Sequence, residues 1–387
     1  MTFSIEIRGV VQGVGFRPFI YNLALSLSLK GYVLNNGYGV LVVVDTPKEK
    51  LQEFITLVEQ NRPLLSKIDS ISVTEIKEQK FNDFVIKESK KSSNLSSEIP
   101  SDIGMCRECR NELEDKNNRR YNYPFISCVS CGPRYSIIKN LPYDRKNTSM
   151  AKFEMCQKCQ AEYENPKDRR YHAQPIGCHE CGMKLSLLDS SGKIMACANK
   201  VDKVVELLAC GNIVAIKGIG GYHLVCDGTN DNALKLLRER KQRPSKPFAV
   251  MLKDIDSAKK IANIDRIEEN LLNSNRQPIV LLEKLNKPLF PAKTWNQISD
   301  LVAPNINQIG IFLAYTPLHH LILKKFDKPI VATSANISSE PLCRTFDEII
   351  KLSNIWDYCL DNDRDIVNSC DDSVVFVENE TMFMGSF

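Results

Sequence analysis

Residues 1–88 change hydrophobic rhythm several times. Phe3–Gly9 alternates apolar and polar positions, which predicts a strand with one buried face. Phe16–Lys30 switches to helical spacing. Gly31–Asn35 and Val40–Asp45 alternate again around Asn36-Gly37, as the two arms of a hairpin do. Leu51–Gln60 reads as a second amphipathic helix, and Ser70–Ile76 and Phe84–Lys87 supply more strand. The order β-α-β-β-α-β is the split βαβ, or ferredoxin-like, layout. Beyond about residue 195 the pattern becomes a mixed one. Helical stretches Val201–Ala209, Asn230–Arg240 and Phe346–Leu352 mix with the short strands Ile213–Lys217, Ile279–Leu282, Ile330–Thr333 and Ser373–Val377. That mixture predicts a second, larger α/β domain. Lys87–Gly104, rich in Ser, Lys and Asn, reads as a linker at the end of the first domain.

Between the linker and the second α/β domain lies a repeat. Four CxxC pairs stand at Cys106/Cys109, Cys128/Cys131, Cys156/Cys159 and Cys178/Cys181, and a shift of 50 residues lays the first two on the last two. The match extends to Arg119-Arg120-Tyr121 on Arg169-Arg170-Tyr171 and to Cys131-Gly132 on Cys181-Gly182. A CxxC knuckle supplies two of the four thiolates that a tetrahedral zinc requires, so each copy closes one structural site. The first is expected to be Cys106, Cys109, Cys128 and Cys131. The second is expected to be Cys156, Cys159, Cys178 and Cys181. Redox pairs and disulfides are the competing readings, and neither explains four pairs in a duplicated frame. His172 and His179 could substitute for a ligand, but four cysteines already complete each site. The remaining cysteines (Cys197, Cys210, Cys226, Cys343, Cys359 and Cys370) lack ligand spacing, and most read as small core residues.

Composition narrows the class. A chain of 387 residues at about 150 per domain holds two to four domains. Three regions are expected: 1–90, 100–190 and 195–387. No apolar run approaches the 18 residues of a membrane span, and the start, Met1-Thr-Phe-Ser-Ile-Glu-Ile-Arg8, lacks an apolar leader. The expectation is a cytoplasmic protein without a membrane segment, where 14 cysteines point to metal or catalysis ahead of disulfides. Net charge is +4, and residues 106–181 hold 14 Lys and Arg against 10 Asp and Glu. Eight thiolates on two Zn2+ cancel that surplus. The fingers are therefore expected to fold and dock and not to grip nucleic acid.

The connection after the first strand is Gly9-Val-Val-Gln-Gly-Val-Gly-Phe-Arg17, then a helix. Glycines let backbone N–H groups turn toward an anion, the helix N-terminus adds positive potential, and Arg17 can grip phosphate with two donors. Gln12, Gly13, Val14, Gly15 and Phe16 are the expected phosphate loop. The string resembles the acylphosphatase signature, and Gly31-Tyr-Val-Leu-Asn35 resembles the second element of that family. The resemblance implies that Arg17 binds the phosphate and that Asn35 orients the attacking water.

The last domain repeats the theme of a strand running into a glycine turn, Ile213–Lys217 into Gly218-Ile-Gly-Gly-Tyr-His223. A basic stretch, Lys241-Gln-Arg243-Pro-Ser-Lys246, leads into another strand. A solvated helix C-terminus is the ordinary reading of such cations. Ala303-Pro-Asn305, Tyr315–His320 and Thr333-Ser334-Ala-Asn336 join them, and the set resembles the YrdC-like domain through Lys241, Arg243, Ser334 and Asn336. Such domains bind ATP and make carbamoyl-type adenylates. The resemblance implies Lys241, Arg243 and Lys246 for phosphate and acyl charge, and Ser334 and Asn336 for orienting the nucleotide. Lys217 and Arg364 are further candidates. His319 and His320 read as packed helix histidines.

Acylphosphatase domain, tandem four-cysteine fingers and YrdC-like domain, in that order, resemble the HypF family of hydrogenase-maturation carbamoyltransferases. Asn118–Phe125, Leu141–Arg145, Thr148–Met150 and Cys370–Val374 also match it. The resemblance implies carbamoyl phosphate and ATP with Mg2+ as substrates. It implies a cysteine of the protein HypE as carbamoyl acceptor, on the way to cyanide ligands of the NiFe centre. It also implies that a sugar-kinase-like transfer domain is missing here, as in a truncated or short form. Asn362, Ser369 and Ala314 stand where the family carries His, Arg and Pro. Two other classes stay open: a threonylcarbamoyl-adenylate synthase of tRNA modification, and a zinc-finger nucleic-acid-binding regulator.

Overall fold

The computed structural model describes residues 1–90, 98–285, 298–336 and 340–385. The centre of the expected linker, 91–97, and the stretch 337–339 of the Thr333–Pro341 motif lie outside the described residues. By contact the chain gathers into two compact units, 1–102 with 127–182, and 103–126 with 183–387. The finger segment does not stand alone in this division. A module of its size buries too little apolar surface for a core of its own and leans on larger neighbours.

The first unit contains β1 (Thr2–Val10), α1 (Phe16–Ser26), β2 (Lys30–Asn35), β3 (Gly39–Asp45), α2 (Lys48–Gln60), β4 (Lys67–Ile76) and β5 (Phe84–Ile86). They form one sheet in the order β4-β1-β3-β2-β5. β1 runs antiparallel to β3 and β4, with Ile5 opposite Val42 and Val73, and β5 adds parallel to β2. The core is what the two periods select. Phe3, Ile5 and Ile7 face Val40, Val42 and Val44 at period two, and Phe16, Ile20 and Ala24 of α1 and Leu51, Phe54 and Val58 of α2 cover them at helical spacing.

α1 stops short of the predicted Lys30. Ser28 takes a left-handed conformation, φ 54°, and the N–H of Leu29 donates to the Ala24 carbonyl at 2.9 Å. The N–H of Ser28 donates to Leu25 at 2.9 Å, which completes a Schellman turn with Leu29 buried after it. The apolar spacing runs through this turn because Leu29 is a core residue of the turn.

Within the repeat, α3 (Arg107–Glu114) and α4 (Gln157–Glu164) each begin directly after the first cysteine of a copy. The rest of the second unit is built from β6 (Leu185–Asp189), α5 (Lys200–Ala209), β7 (Val214–Lys217), β8 (Tyr222–Asp227), α6 (Asp231–Arg240), β9 (Ala249–Leu252), α7 (Ile255–Ala258), β10 (Ala262–Asn263) and α8 (Arg266–Leu272). It continues with β11 (Ile279–Lys284), β12 (Gln308–Leu313), α9 (Pro317–Phe326), β13 (Ile330–Ser334), α10 (Phe346–Ile349), β14 (Tyr358–Asn362), β15 (Val374–Glu378) and β16 (Thr381–Gly385). One mixed sheet runs β16-β15-β11-β12-β9-β13-β8-β7-β14-β6, with β10 on β11. β8 is missing from the pattern-based reading because every residue in it is buried, so no alternation survives, whereas β9 is the strand expected after Lys246. No helix of the described residues is long and apolar enough to cross a membrane.

The Schellman turn yields a test. Ser28→Gly removes the cost of holding a side chain in the left-handed region and is expected to stabilise the first unit by about 0.5–1 kcal/mol. Ser28→Val should destabilise it. Urea unfolding followed by circular dichroism would read both, and equal midpoints for all three chains would contradict the assignment.

Candidate functional site

The loop between β1 and α1 carries the first cluster. Gly13 and Gly15 both take left-handed φ, 72° and 76°, which turns the intervening backbone into a cup at the start of α1. Gln12 shapes this cup. Its side-chain amide donates to the carbonyls of Asn36 and Gly39 at 2.8 and 2.9 Å, and its Oε1 accepts from the N–H of Tyr143 at 2.9 Å. Arg17 is buried, donating to Asp144 at 2.8 Å and to Ser89 Oγ at 3.3 Å. Asn35 ends β2 at 1% exposure, and its Oδ1 has no hydrogen-bond partner among the described residues.

Residues of the finger segment wall the same cleft. Arg134, Tyr143, His172 and Gln174 line it together with Gln12, Gly13, Gly15, Arg17 and Asn35. Arg134 is 1% exposed, and its Nε donates to the Gly13 carbonyl at 2.5 Å. Its two other nitrogens donate to the carbonyls of Cys128, Val129, Cys131 and Pro133. Burial holds the Tyr143 phenol up at about 12. Burial, with Arg17 nearby, holds His172 down at about 4, so its ring is neutral. Arg134 and Gln174 carried no site signal in the pattern of the chain, Tyr143 entered only within the family-matching string Leu141–Arg145, and His172 only as a possible substitute metal ligand. The first copy has Asn122 in the place of His172.

The cysteines assemble as the repeat predicts. Sulfurs of Cys106, Cys109, Cys128 and Cys131 lie within 4.8 Å of one another, and so do those of Cys156, Cys159, Cys178 and Cys181. Cys128–Cys131, Cys156–Cys178 and Cys178–Cys181 are each 3.8 Å apart. A tetrahedral ion with thiolate bonds of about 2.3 Å separates its sulfurs by about 3.8 Å, whereas a disulfide brings them to about 2 Å. The two quartets therefore fit a structural metal. Of the other six cysteines, Cys226, Cys343 and Cys359 are buried, but Cys210 and Cys370 are exposed and Cys197 lies between, so half and not most of that set is core.

In the second unit the candidates fall into two groups. Lys241, just after α6, donates to the carbonyls of Ser334 and Asn336 at 2.7 and 3.3 Å, and Ser334 Oγ donates to Asn336 Oδ1 at 3.0 Å. Arg243 reaches Thr333 Oγ1 at 3.4 Å. Burial, reinforced by Arg243, pushes the Lys241 amine down to about 8, and burial, reinforced by Arg238, pushes Arg243 to about 10. Lys246 lies in the same loop with an exposed side chain. The second group gathers at the β7–β8 turn. Lys217 donates to the Asn362 carbonyl at 2.9 Å and pairs with Asp361 at 3.2 Å, while Arg364 donates to the carbonyls of Gly218 and Ile219. Asn362 bridges the two, donating to the Lys217 carbonyl and accepting from the Arg364 N–H.

Both helix histidines are buried. His320 pairs with Glu114 at 2.8 Å, and His319 is sealed with no partner for either nitrogen among the described residues, burial holding it at about 3. Ala314 is buried and Ser369 exposed.

Comparisons with known proteins agree with this geometry. The acylphosphatase family model matches residues 3–86, the HypF finger model matches 105–138 and 155–188, and the Sua5, YciO and YrdC model, described as telomere recombination, matches 206–384. The chain thus joins an acylphosphatase domain, a pair of four-cysteine zinc fingers and a Sua5/YrdC-type domain. It is 45% identical to carbamoyltransferase HypF of Synechocystis sp. over 99% of its length and 49% of that protein's. It is 46% identical to the probable carbamoyltransferase HypF of Methanocaldococcus jannaschii over 97% of its length and 48% of that protein's. A crystal structure of full-length HypF in the phosphate- and nucleotide-bound form superposes with a TM-score of 0.92 at 42% identity, over 99% of this chain and 49% of that one. The chain belongs to the HypF carbamoyltransferase family and spans about half the length of the curated relatives it matches.

Elemental analysis of the purified chain is expected to find two metal ions. Cys159→Ser should reduce the count to one. Chelation should unfold the finger segment, since metal binding and folding are coupled there. A metal-free chain with an unchanged circular dichroism spectrum would contradict this.

Proposed function

We propose that this chain hydrolyses carbamoyl phosphate at its first domain and activates the resulting carbamate with ATP at its last, for carbamoyl transfer during [NiFe]-hydrogenase maturation. The observation that carries the reading is the cleft that joins a two-glycine phosphate cup, Arg17 and the uncommitted Oδ1 of Asn35. A water held by Asn35 attacks phosphorus, Arg17 and loop N–H groups take the charge that builds on the phosphoryl oxygens, and carbamate leaves. Phosphate departs after it. Carbamate oxygen then attacks the α-phosphate of ATP, pyrophosphate leaves, and carbamoyl-AMP forms. The partner HypE would take the carbamoyl group on a cysteine sulfur, releasing AMP. Lys241, Arg243 and Lys246 would meet the phosphates, Ser334 and Asn336 would orient the nucleotide, and Lys217 and Arg364 would hold the adjoining turn.

Zinc is the metal we assign to both quartets, because all eight ligands are cysteines. Mg2+ would accompany ATP, and the cytoplasm is the expected location. Functional boundaries at 1–90, 100–190 and 195–387 are supported by the spans of the family models. A threonylcarbamoyl-adenylate synthase has no use for an acyl-phosphate cleft, and a nucleic-acid regulator has none for the Arg17–Asn35 pair.

Arg17→Ala is expected to lower carbamoyl phosphate hydrolysis about a hundredfold to a thousandfold while metal content and ATP binding stay unchanged. Wild-type turnover in that variant would overturn the cradle. Pyrophosphate release that requires both ATP and carbamoyl phosphate, read by product mass spectrometry, tests the second step. Its appearance with threonine and bicarbonate instead would favour the tRNA-modifying class.

Lys241 makes the nucleotide step pH-sensitive. Its amine is charged below about 8 and neutral above, so affinity for Mg2+-ATP is expected to fall as pH rises through about 8. Calorimetric titration between pH 7 and 9 would show this step in the wild type and not in Lys241→Ala. The same slope in both chains would exclude Lys241.

A further inference from the structure

Most polar groups walling the phosphate cleft already have partners. Both ends of the Gln12 amide hold backbone, and so do both ends of Gln174, which donates to the His172 carbonyl at 2.7 Å and accepts from the N–H of Arg145 at 2.6 Å. The Tyr143 hydroxyl donates to Pro133, and all three nitrogens of Arg134 rest on carbonyls. Two groups are left for a ligand beside the Asp144-paired Arg17: the Oδ1 of Asn35, which has no hydrogen-bond partner among the described residues, and the ring of His172, which lines the cleft.

His172 is also conformationally unusual. It sits at φ 54°, and so does its counterpart in the first copy, Asn122, at φ 56°. Asn and His are both among the non-glycine residues that enter the left-handed region most readily, so the turn is kept in both copies while the side chain changes. The second copy carries its imidazole at the cleft. The imidazole is braced by Tyr171 and Tyr163, whose ring centroids lie 4.6 and 5.0 Å away, so it is held in place and not floating.

We propose that His172, supplied by the second finger, hydrogen-bonds the acyl end of the bound acyl phosphate and favours a carbamoyl over an alkyl acyl group. The assignment rests on the acylphosphatase reading of the cleft. The phosphoryl end is met by the glycine cup and Arg17, and the water by Asn35, which leaves the acyl end to the remaining ring. A carbamoyl group presents an N–H2 donor beside its carbonyl, whereas an acetyl group presents a methyl. A neutral imidazole has one nitrogen that accepts, which an imidazolium lacks. Burial and the adjacent Arg17 keep His172 in that neutral form. A site built to pair with a polar group discriminates against an analogue that lacks it.

The test compares kcat/KM for carbamoyl phosphate and acetyl phosphate in the whole chain. His172→Asn keeps the left-handed backbone, as Asn122 does, but withdraws the ring nitrogens from the acyl group. His172→Phe keeps the ring packing and removes both nitrogens. In either variant the carbamoyl-to-acetyl preference is expected to fall about tenfold or more, with metal content unchanged. A preference equal to wild type in both folded variants overturns the role of His172. A wild-type chain that hydrolyses neither substrate overturns the acylphosphatase reading itself, so the two failures are distinguishable.

Discussion

One buried cation holds the first unit together at its site. Arg134 lies at 1% exposure with its nitrogens on five carbonyls, four in the segment Cys128–Pro133 and one at Gly13. A guanidinium withdrawn from water to this depth is tolerable only if every donor is met. Removing any of the five carbonyls would leave a buried donor without a partner. The knuckle Cys128–Cys131 and the phosphate cup are therefore not independent. A carbonyl of the cup faces the guanidinium, which leaves its N–H groups to an anion. The thiolates gathered at that knuckle supply negative charge that helps a buried arginine persist.

The duplicated finger repeats its hydrogen bonding more faithfully than its residues. Asp115 accepts from the Asn117 N–H, and Asn165 does the same for Lys167. Asn118 accepts from Arg120, and Asp168 from Arg170. Asp and Asn exchange freely between copies because the turn needs only a side-chain oxygen two residues before an N–H. Arg169 reaches the Cys128 sulfur and Arg170 the Ser127 carbonyl, so the second copy braces the knuckle that holds the phosphate cup.

In the basic loop of the second unit, cations are positioned by backbone carbonyls. Arg238 clamps the carbonyls of Arg243, Pro244 and Lys246 and stacks on Phe248, which fixes the loop that presents Lys241 and Arg243. Burial depresses the proton affinity of all three cations, and the charge of Arg243 adds to it at Lys241 and that of Arg238 at Arg243. An anionic ligand relieves that repulsion, which is the electrostatic logic of a phosphate site.

The sequence alone determined the periodic and the covalently spaced features. The buried faces Phe3, Ile5 and Ile7 and Phe16, Ile20 and Ala24 follow from side-chain period, and the two quartets follow from a 50-residue repeat of CxxC knuckles. Gly13 and Gly15 were legible as well, because a cup before a helix needs glycine at fixed positions, and Asn35 was marked only by the resemblance to acylphosphatases. Only the tertiary structure decided the rest. Asp144 on Arg17, Arg134 on Gly13 and His172 in the cleft join residues more than a hundred positions apart in chain order, and no local rhythm encodes such meetings. The strand β8 was hidden for a related reason. It is buried on both faces, and a strand with no polar side carries no period to read.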